Sequence, residues 1–389
     1  MRKDVSYFKN AEIVFQWGAL KYIRKLKCKK AAILTDMSSM GKLGFVKKII
    51  SFIKDSGADA RVIASIEKEP TTDHIDIGLE ALLKFKPDLI IALGGGSVMD
   101  TAKAMWIIYE HPTIDKKRLF IPFAIPHLRN KARLVAIPST SGTGSETSYA
   151  AVFVDPKTKT KRLILSREII PDIAILDPEI PLHMFPSVTA SSGMDALSHA
   201  LESYVCVLST DFSEAAALQA IKLIFDNLGK AYKNGKDKNA REKMHYAATL
   251  AGIAINNSAA GLVHAMDHIG PQFGLPHGVA CAILLQYIME YNQSSEMARK
   301  KYAEVARMVG LSGKNEEELA TSLIERIKEC QRTLNLSTSI KDAGVSENKF
   351  FEKLDLMVEY SSKNRNVQLN PRIPTSSEIR DIYIETYYG

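Results

Sequence analysis

Cysteine is scarce in this chain: Cys28, Cys206, Cys281 and Cys330 are the four in 389 residues, and no two form a CxxC pair. Their scatter argues against a disulfide framework or a cysteine-ligated zinc, and fits a reducing compartment. No apolar run reaches the roughly 20 residues that span a bilayer, and the opening stretch Met1 to Phe8 lacks the apolar core of a secretory signal. The expectation is a soluble, cytoplasmic protein without a membrane partner. The net charge of +7 is spread among acidic residues, with no RNP-type aromatic motif and no zinc finger, so nucleic acid is not an expected partner either. GxGxxG and GxxxxGK are both missing, which removes the standard Rossmann fingerprint and the P-loop. There is no internal repeat and no low-complexity tract. What is left is ordinary globular composition, 46% hydrophobic and 24% charged, with length enough for two domains.

The first half alternates short apolar runs with amphipathic segments. Strands are expected at 31–35, 60–64, 88–93, 134–137, 163–165 and 173–176, and helices at 43–56, 75–85 and 98–109. Such alternation, with strands apolar throughout, implies a parallel sheet covered on both faces. Pro178, Pro181 and Pro186 then punctuate the chain, and strand signals stop. Helices are expected at 187–206, 213–228, 240–255, 262–269, 279–291, 296–309, 316–333, 347–361 and 376–387. The expected organisation is an α/β nucleotide-binding domain over 1–180, then an all-helical domain over 181–389, with the active site in the cleft between them.

Parallel sheets bind ligands at the carboxyl ends of their strands. Two loops sit at such ends. Gly94-Gly95-Gly96-Ser97 closes a strand and opens a helix, a turn whose free N–H groups and positive potential suit a phosphate. Asp100 follows in the same stretch. Pro138-Ser139-Thr140-Ser141-Gly142-Thr143-Gly144-Ser145 is dense in small hydroxyl donors directly after another strand. Asp36, at the end of a third strand, is placed to accept from an adenosine ribose hydroxyl and to repel a 2′-phosphate, which favours NAD over NADP.

The helical half carries a different signal. Asp195 and His199 stand four residues apart in a helical segment, with Ser191, Ser192 and Gly193 as start signals ahead of them. Spacing of i,i+4 puts both side chains on one helical face. His264 and His268 repeat that spacing, and His277 follows after a Gly/Pro-containing bend. One aspartate with three histidines is a set that divalent transition metals accept.

GGGSVMDTAK at 94–103, IPSTSGTGSET at 137–147, AILDPE at 174–179, GMDALSHALESY at 193–204, the His264/His268/His277 cluster and NPR at 370–372 together resemble the iron-containing (group III) alcohol dehydrogenase family. They occur in the family's order and span nearly the whole chain. The resemblance implies a dehydroquinate-synthase-like fold with an all-α metal-binding domain. It implies Asp195, His199, His264 and His277 as ligands of Fe²⁺, or of Zn²⁺. It also implies cofactor contacts at Gly95, Gly96, Ser97, Ser139, Thr140, Lys161 and Leu176, with Asp36 at the position that disfavours NADP and Asp100 in the cofactor site. His268 matches a histidine of the substrate pocket, where it either relays a proton or orients a ligand. A homodimer follows by the same analogy.

Three features depart from the family pattern. The span from His264 to His277 is one residue shorter than the common spacing, with Ile269-Gly270-Pro271 replacing the usual Pro-Leu-Gly. Glu69 stands where many members have Asn, and no acidic residue precedes Asn370 in the usual place. The reaction implied is reversible hydride transfer between a primary alcohol or diol, or the corresponding aldehyde, and NAD(P). The alternatives are a glycerol or glycerol-phosphate dehydrogenase, a metal-dependent lyase of the dehydroquinate-synthase type, and a helical binding protein whose histidines are structural. That last alternative leaves both glycine loops unexplained.

Overall fold

All eight strands found among the described residues precede residue 177, and everything after it is helix, turn or loop. The structure, a computed structural model, describes residues 8–66, 71, 75, 76 and 78–389; Glu69 lies outside them. Six strands form one parallel sheet: β1 (Glu12–Phe15), β2 (Lys30–Thr35), β3 (Asp59–Ser65), β4 (Leu89–Gly94), β5 (Arg133–Pro138) and β8 (Ile173–Leu176), in the order β1-β8-β5-β4-β2-β3. The apolar runs explain why. Alternate side chains of a strand point to opposite faces, and both faces here are covered. Ala32, Leu34, Ile90, Ala92, Leu134 and Ala136 pack with α2 (Leu79–Phe85) and α3 (Gly96–Glu110). Ala31, Ile33, Leu89, Ile91, Val135 and Ile137 pack with α1 (Phe45–Asp55).

Register aligns the carboxyl ends of the central strands. Thr35 pairs with Leu93, and Leu93 with Ile137. Asp36, Gly95 and Ser139, each just past a strand, therefore lie at one edge of the sheet. The chain turns outward from β2 to β3 and returns on the other side of β2 as β4, so the switch point lies between Asp36 and the triple glycine.

Two strands went unforeseen. β1 is a short edge strand and half exposed, so it lacks the buried-run signature. β6 (Ala150–Val154) forms an antiparallel hairpin with β7 (Lys161–Leu165), separate from the large sheet. The run at 163–165 is thus a strand, as expected, but not one of the parallel set. Residues 75–85 were expected to be helical throughout; α2 begins at Leu79, after Gly78 takes φ +76°.

The helical part comprises α4 (Pro186–Val205), α5 (Asp211–Lys233), α6 (Lys238–Asn256), α7 (Leu262–Met266), α8 (Ile269–Phe273), α9 (His277–Asn292), α10 (Glu296–Met308), α11 (Glu316–Thr333), α12 (Glu347–Lys363) and α13 (Ser376–Tyr388). α4 is buried on most sides, packing Met194, Leu197, Leu201 and Tyr204 with Ile221, Ile224 and Leu228 of α5. Its start corrects the sequence reading. Pro186 occupies the first turn, where its missing N–H costs nothing. Ser191, Ser192 and Gly193 are interior, and Ser192 Oγ donates to Val188 O at 2.6 Å. Residues 262–269, expected as one helix, break at Asp267 into α7 and α8. Pro271 sits in the first turn of α8, where it is tolerated. Gly274 then adopts φ +72°, and Leu275 N donates to Gly270 O at 3.0 Å, turning the chain directly into α9. That tight return sets the spacing between His264 and His277. Among the described residues no helix is long and apolar enough to cross a membrane.

Candidate metal centre

Three helices bring four predicted residues together. α4 supplies Asp195 and His199, α7 supplies His264, and His277 is the first residue of α9. Asp195 Oδ1 is buried and without a hydrogen-bond partner. Around it stand Nε2 of His277 at 3.3 Å, of His264 at 3.6 Å and of His199 at 3.8 Å. Two donors, each about 2.1 Å from a shared cation at a tetrahedral angle, lie about 3.4 Å apart. A buried acceptor left unpaired costs free energy unless something satisfies it, and one divalent ion would satisfy all four groups. The donor set fits.

The four groups differ in their electrostatics. Burial alone would raise the Asp195 pKa, but the imidazoles of His199 and His277 hold it well below the usual carboxylate range. Burial pushes His199 down to about 4, against the pull of Asp195. Burial also opposes protonation of His264, yet Cys281 and Glu202 hold its pKa well above the ordinary value.

Residues not singled out from the sequence orient two of these rings. Glu202 pairs with His264 Nδ1 and accepts from Val263 N at 2.6 Å, leaving Nε2 to face Asp195. Asp267 Oδ2 lies 3.2 Å from His277 Nδ1 and pairs with Lys161 Nζ, so the same arrangement serves His277. Each acid stands three residues after a candidate ligand, Glu202 after His199 and Asp267 after His264. That spacing was the available signal. Cys281, one turn beyond His277 on α9, was also passed over; its Sγ lies 3.8 Å from His264 Nε2. Replacing a carboxylate that orients a metal-binding imidazole typically lowers metal affinity about 10–100-fold. Glu202→Gln is expected to do so in competition against a coloured chelator, and unchanged affinity would assign Glu202 to packing alone.

His268 does not join the four. Both its ring nitrogens are buried without partners, its ring centroid is 5.8 Å from that of Tyr360, and burial lowers its pKa. It is a neutral imidazole with unused hydrogen-bonding capacity. Lys161 reaches the cluster from β7, with Nζ 3.2 Å from His277 Nδ1.

The predicted cofactor residues gather at the sheet edge. Gly95 caps α3 and Gly96 begins it, so the amides of Gly96 and Ser97 have no preceding helical carbonyl to bond. Ser139 N donates to Gly94 O at 2.9 Å, and Thr140 lies against Gly95. Leu176 is buried at the end of β8. Asp36 uses one oxygen, Oδ1, to accept from Ser38 N, Ser38 Oγ and Ser39 N. Asp100 faces inward: its carboxylate accepts from Ser145 Oγ at 2.6 Å and Val152 N at 2.8 Å. Beside it buried Lys103, its pKa pushed down by burial to about 8, donates to Ser145 Oγ, Ser148 O and Ala150 O. Together Asp100 and Lys103 pin the Ser/Gly loop to α3. That loop in turn meets α4, since a Cβ on Gly142 would lie 2.6 Å from Ser192 Cβ. The two halves of the candidate site thus share walls.

α6 backs the same loop through His245, whose Nδ1 is 3.1 Å from Ser141 Oγ and whose Nε2 is buried without a partner. Burial lowers its pKa from 6.5 to about 4. A histidine whose folded pKa is depressed keeps full stability above the unfolded value and loses it as pH falls toward the folded one. Over the window from pH 6.5 to about 4 the expected loss is about 3 kcal/mol. Thermal melts across this window should show a visibly shallower pH slope for His245→Gln than for the parent, and identical slopes would refute the assignment.

Comparison with known proteins identifies the family. The profile described as iron-containing alcohol dehydrogenase matches residues 10–178, and the one described as Fe-containing alcohol dehydrogenase family, C-terminal, matches residues 189–387. The chain is 41% identical over 379 residues to an NADPH-dependent butanol dehydrogenase of Clostridium saccharobutylicum, covering 97% of each. It is 38% identical to the bifunctional aldehyde-alcohol dehydrogenase of Escherichia coli K12, of which it covers 43%. Among solved structures, the iron-containing alcohol dehydrogenase of Thermococcus thioreducens superposes with a TM-score of 0.91 at 36% identity, covering 99% of this chain and 100% of that one. A 1,3-propanediol oxidoreductase gives 0.91 at 31%, with the same coverage. This chain belongs to the iron-containing alcohol dehydrogenase family and is an oxidoreductase.

Proposed function

We propose that the protein catalyses reversible hydride transfer between a primary alcohol or diol and NAD, using a divalent metal, Fe²⁺ or Zn²⁺, held by Asp195, His199, His264 and His277. The observation that carries this reading is the buried, unpartnered Asp195 Oδ1 ringed by three imidazole nitrogens. Bound there, the metal supplies Lewis acidity toward an alcohol oxygen, and the nicotinamide supplies the hydride acceptor. The chain's own residues do the rest. Glu202 and Asp267 fix the rings of His264 and His277. Gly95, Gly96 and Ser97 offer backbone amides to a pyrophosphate, with Ser139 and Thr140 alongside and Leu176 as an apolar wall. Lys161, tethered to Asp267, positions the cofactor's inner ribose. His268, neutral and unpartnered, accepts and passes on the hydroxyl proton. Asp36 Oδ2 remains available to a ribose hydroxyl and repels a 2′-phosphate, which supports NAD over NADP; the NADPH dependence named for the Clostridium relative is the contrary indication. The substrate class is supported by the butanol and propanediol named for two relatives. A boundary near residue 180 between cofactor and metal domains, a homodimer and a cytoplasmic location belong to the same proposal.

The test is nicotinamide reduction by 1-butanol, 1,3-propanediol and glycerol after chelator stripping and anaerobic reloading with Fe²⁺ or Zn²⁺. Activity is expected to return only with metal, and to favour NAD over NADP by at least about tenfold, a charge-repulsion effect of about 1.4 kcal/mol. Asp36→Gly should narrow that ratio. Full activity in the stripped protein would sink the metal reading; a preference for NADP would sink the role of Asp36.

A further inference from the structure

We propose that Asp267 links the metal centre to the cofactor site, so that metal uptake and NAD binding strengthen each other through Lys161. This rests on the metal and cofactor readings above and adds an interaction between them. One oxygen, Asp267 Oδ2, faces two donors. His277 Nδ1 lies 3.2 Å from it, and Lys161 Nζ pairs with it. Nζ and Nδ1 are themselves 3.2 Å apart. The three atoms form a triangle, with a candidate metal ligand at one corner and the candidate ribose contact at another. Asp267 is buried and the Lys161 side chain nearly so, which makes the loss of a partner here costly.

The triangle can be shared in two ways. An ammonium only donates, so its approach to Nδ1 is favourable while that nitrogen carries a lone pair. A ring that holds a cation through Nε2 instead carries its proton on Nδ1, where it donates to Oδ2. Two donors then compete for one oxygen at a separation of 3.2 Å and repel. The ammonium gives up His277, and Asp267 Oδ1, buried and unpartnered, offers it a second acceptor. The base of Lys161 is held throughout. It begins β7, paired with Val154. The hairpin turn is fastened to α8 by Gln272 Nε2, which donates to Thr158 O at 3.2 Å and Lys159 O at 3.1 Å. Metal uptake therefore redirects the ammonium and not the hairpin, and a Lys161 drawn off His277 serves a ribose hydroxyl. Coupling between two sites is reciprocal: NAD, by holding Lys161 away from Nδ1, favours the metal-binding form of His277 by the same factor.

The chelator-stripped full-length chain, and the same chain saturated with Zn²⁺, are each titrated with NAD by calorimetry for the parent, Asp267→Asn and Lys161→Gln. Zn²⁺ content is measured in every sample. The parent is expected to bind NAD about tenfold more tightly with Zn²⁺ than without, within the range usual for coupled sites. In both variants that ratio should fall to within about twofold of unity, whatever each change does to the separate affinities. A purely structural Asp267 would weaken one or both affinities and leave the ratio standing. Zn²⁺ titrated with and without saturating NAD should return the parent's factor and lose it in the variants. A parent ratio near one overturns the proposal and leaves both sites intact. So does a ratio that survives in Lys161→Gln, which would assign the coupling to direct contact between metal and cofactor. A parent that takes up no Zn²⁺ refutes the metal reading, and one that binds no NAD in either state refutes the cofactor reading; either result takes the coupling with it. If Asp267→Asn misfolds or holds no Zn²⁺, Lys161→Gln decides alone.

Discussion

Asp195→Ala is expected to lower kcat/KM by at least about a thousandfold, equivalent to about 4 kcal/mol of transition-state stabilisation. The carboxylate is the one anionic member of the four-residue cluster, and every imidazole in it is measured against Oδ1. Removing it leaves three neutral or mutually repelling rings with no charge to balance a dication. The variant should therefore purify with little metal and should recover little activity on reloading. Asp195→Asn keeps the shape but not the charge, and should fall between the two. Binding of NAD, followed by quenching of protein fluorescence, should be nearly unchanged, because the glycine loops do not depend on Asp195. A variant that holds metal and turns over within about tenfold of the parent would remove Asp195 from the ligand set.

Much of this site was legible in the sequence because its chemistry follows helical and strand periodicity. Asp195 and His199 could be paired by the i,i+4 rule alone, and the three loops past β2, β4 and β5 could be placed by recognising strands apolar on both faces. Choosing His277 over His268 could not be done that way. Both stand near His264, and the distinction depends on a helix break at Asp267 and a return through Gly274 that periodicity does not encode. The resemblance to the family made that choice. Glu202, Asp267 and Cys281 were missed for a related reason: acids and thiols in helices are mostly exposed or inert, and only the packing of α4, α7 and α9 turns these three inward. Asp100 was placed by its loop in the cofactor site with its role open, and only the fold shows that its two oxygens accept from Ser145 and Val152 and hold that loop to α3. β1 left little signal because it is short and half exposed, whereas the apolar run of β6, with three of its five residues buried, was passed over.

The packing that creates the centre also exposes its weakest point. α9 crosses α4 so closely that a Cβ on Gly278 would sit 2.1 Å from Ser191 O and 2.6 Å from Ser191 C. Those are backbone atoms of a buried helix, with no flexible side-chain end to swing away. Gly278→Ala must push the helices apart, and overpacking against backbone belongs at the upper end of its usual range, about 3 kcal/mol or more. The consequence reaches further than stability. Gly278 follows His277, and Ser191 lies one turn before Asp195, so the same contact sets the 3.3 Å separation of His277 Nε2 from Asp195 Oδ1. A displacement of even half an ångström there spoils a tetrahedral edge, so metal affinity should fall together with the melting temperature. Gly229, in the interior of α5 with open space around its Cβ position, is the matched control. There the same substitution improves helix propensity and should stabilise by about 0.5–1 kcal/mol without touching metal binding. If Gly278→Ala melts and binds metal as the parent does, α4 and α9 do not meet as closely as this geometry requires, and the position of His277 in the centre would have to be rebuilt.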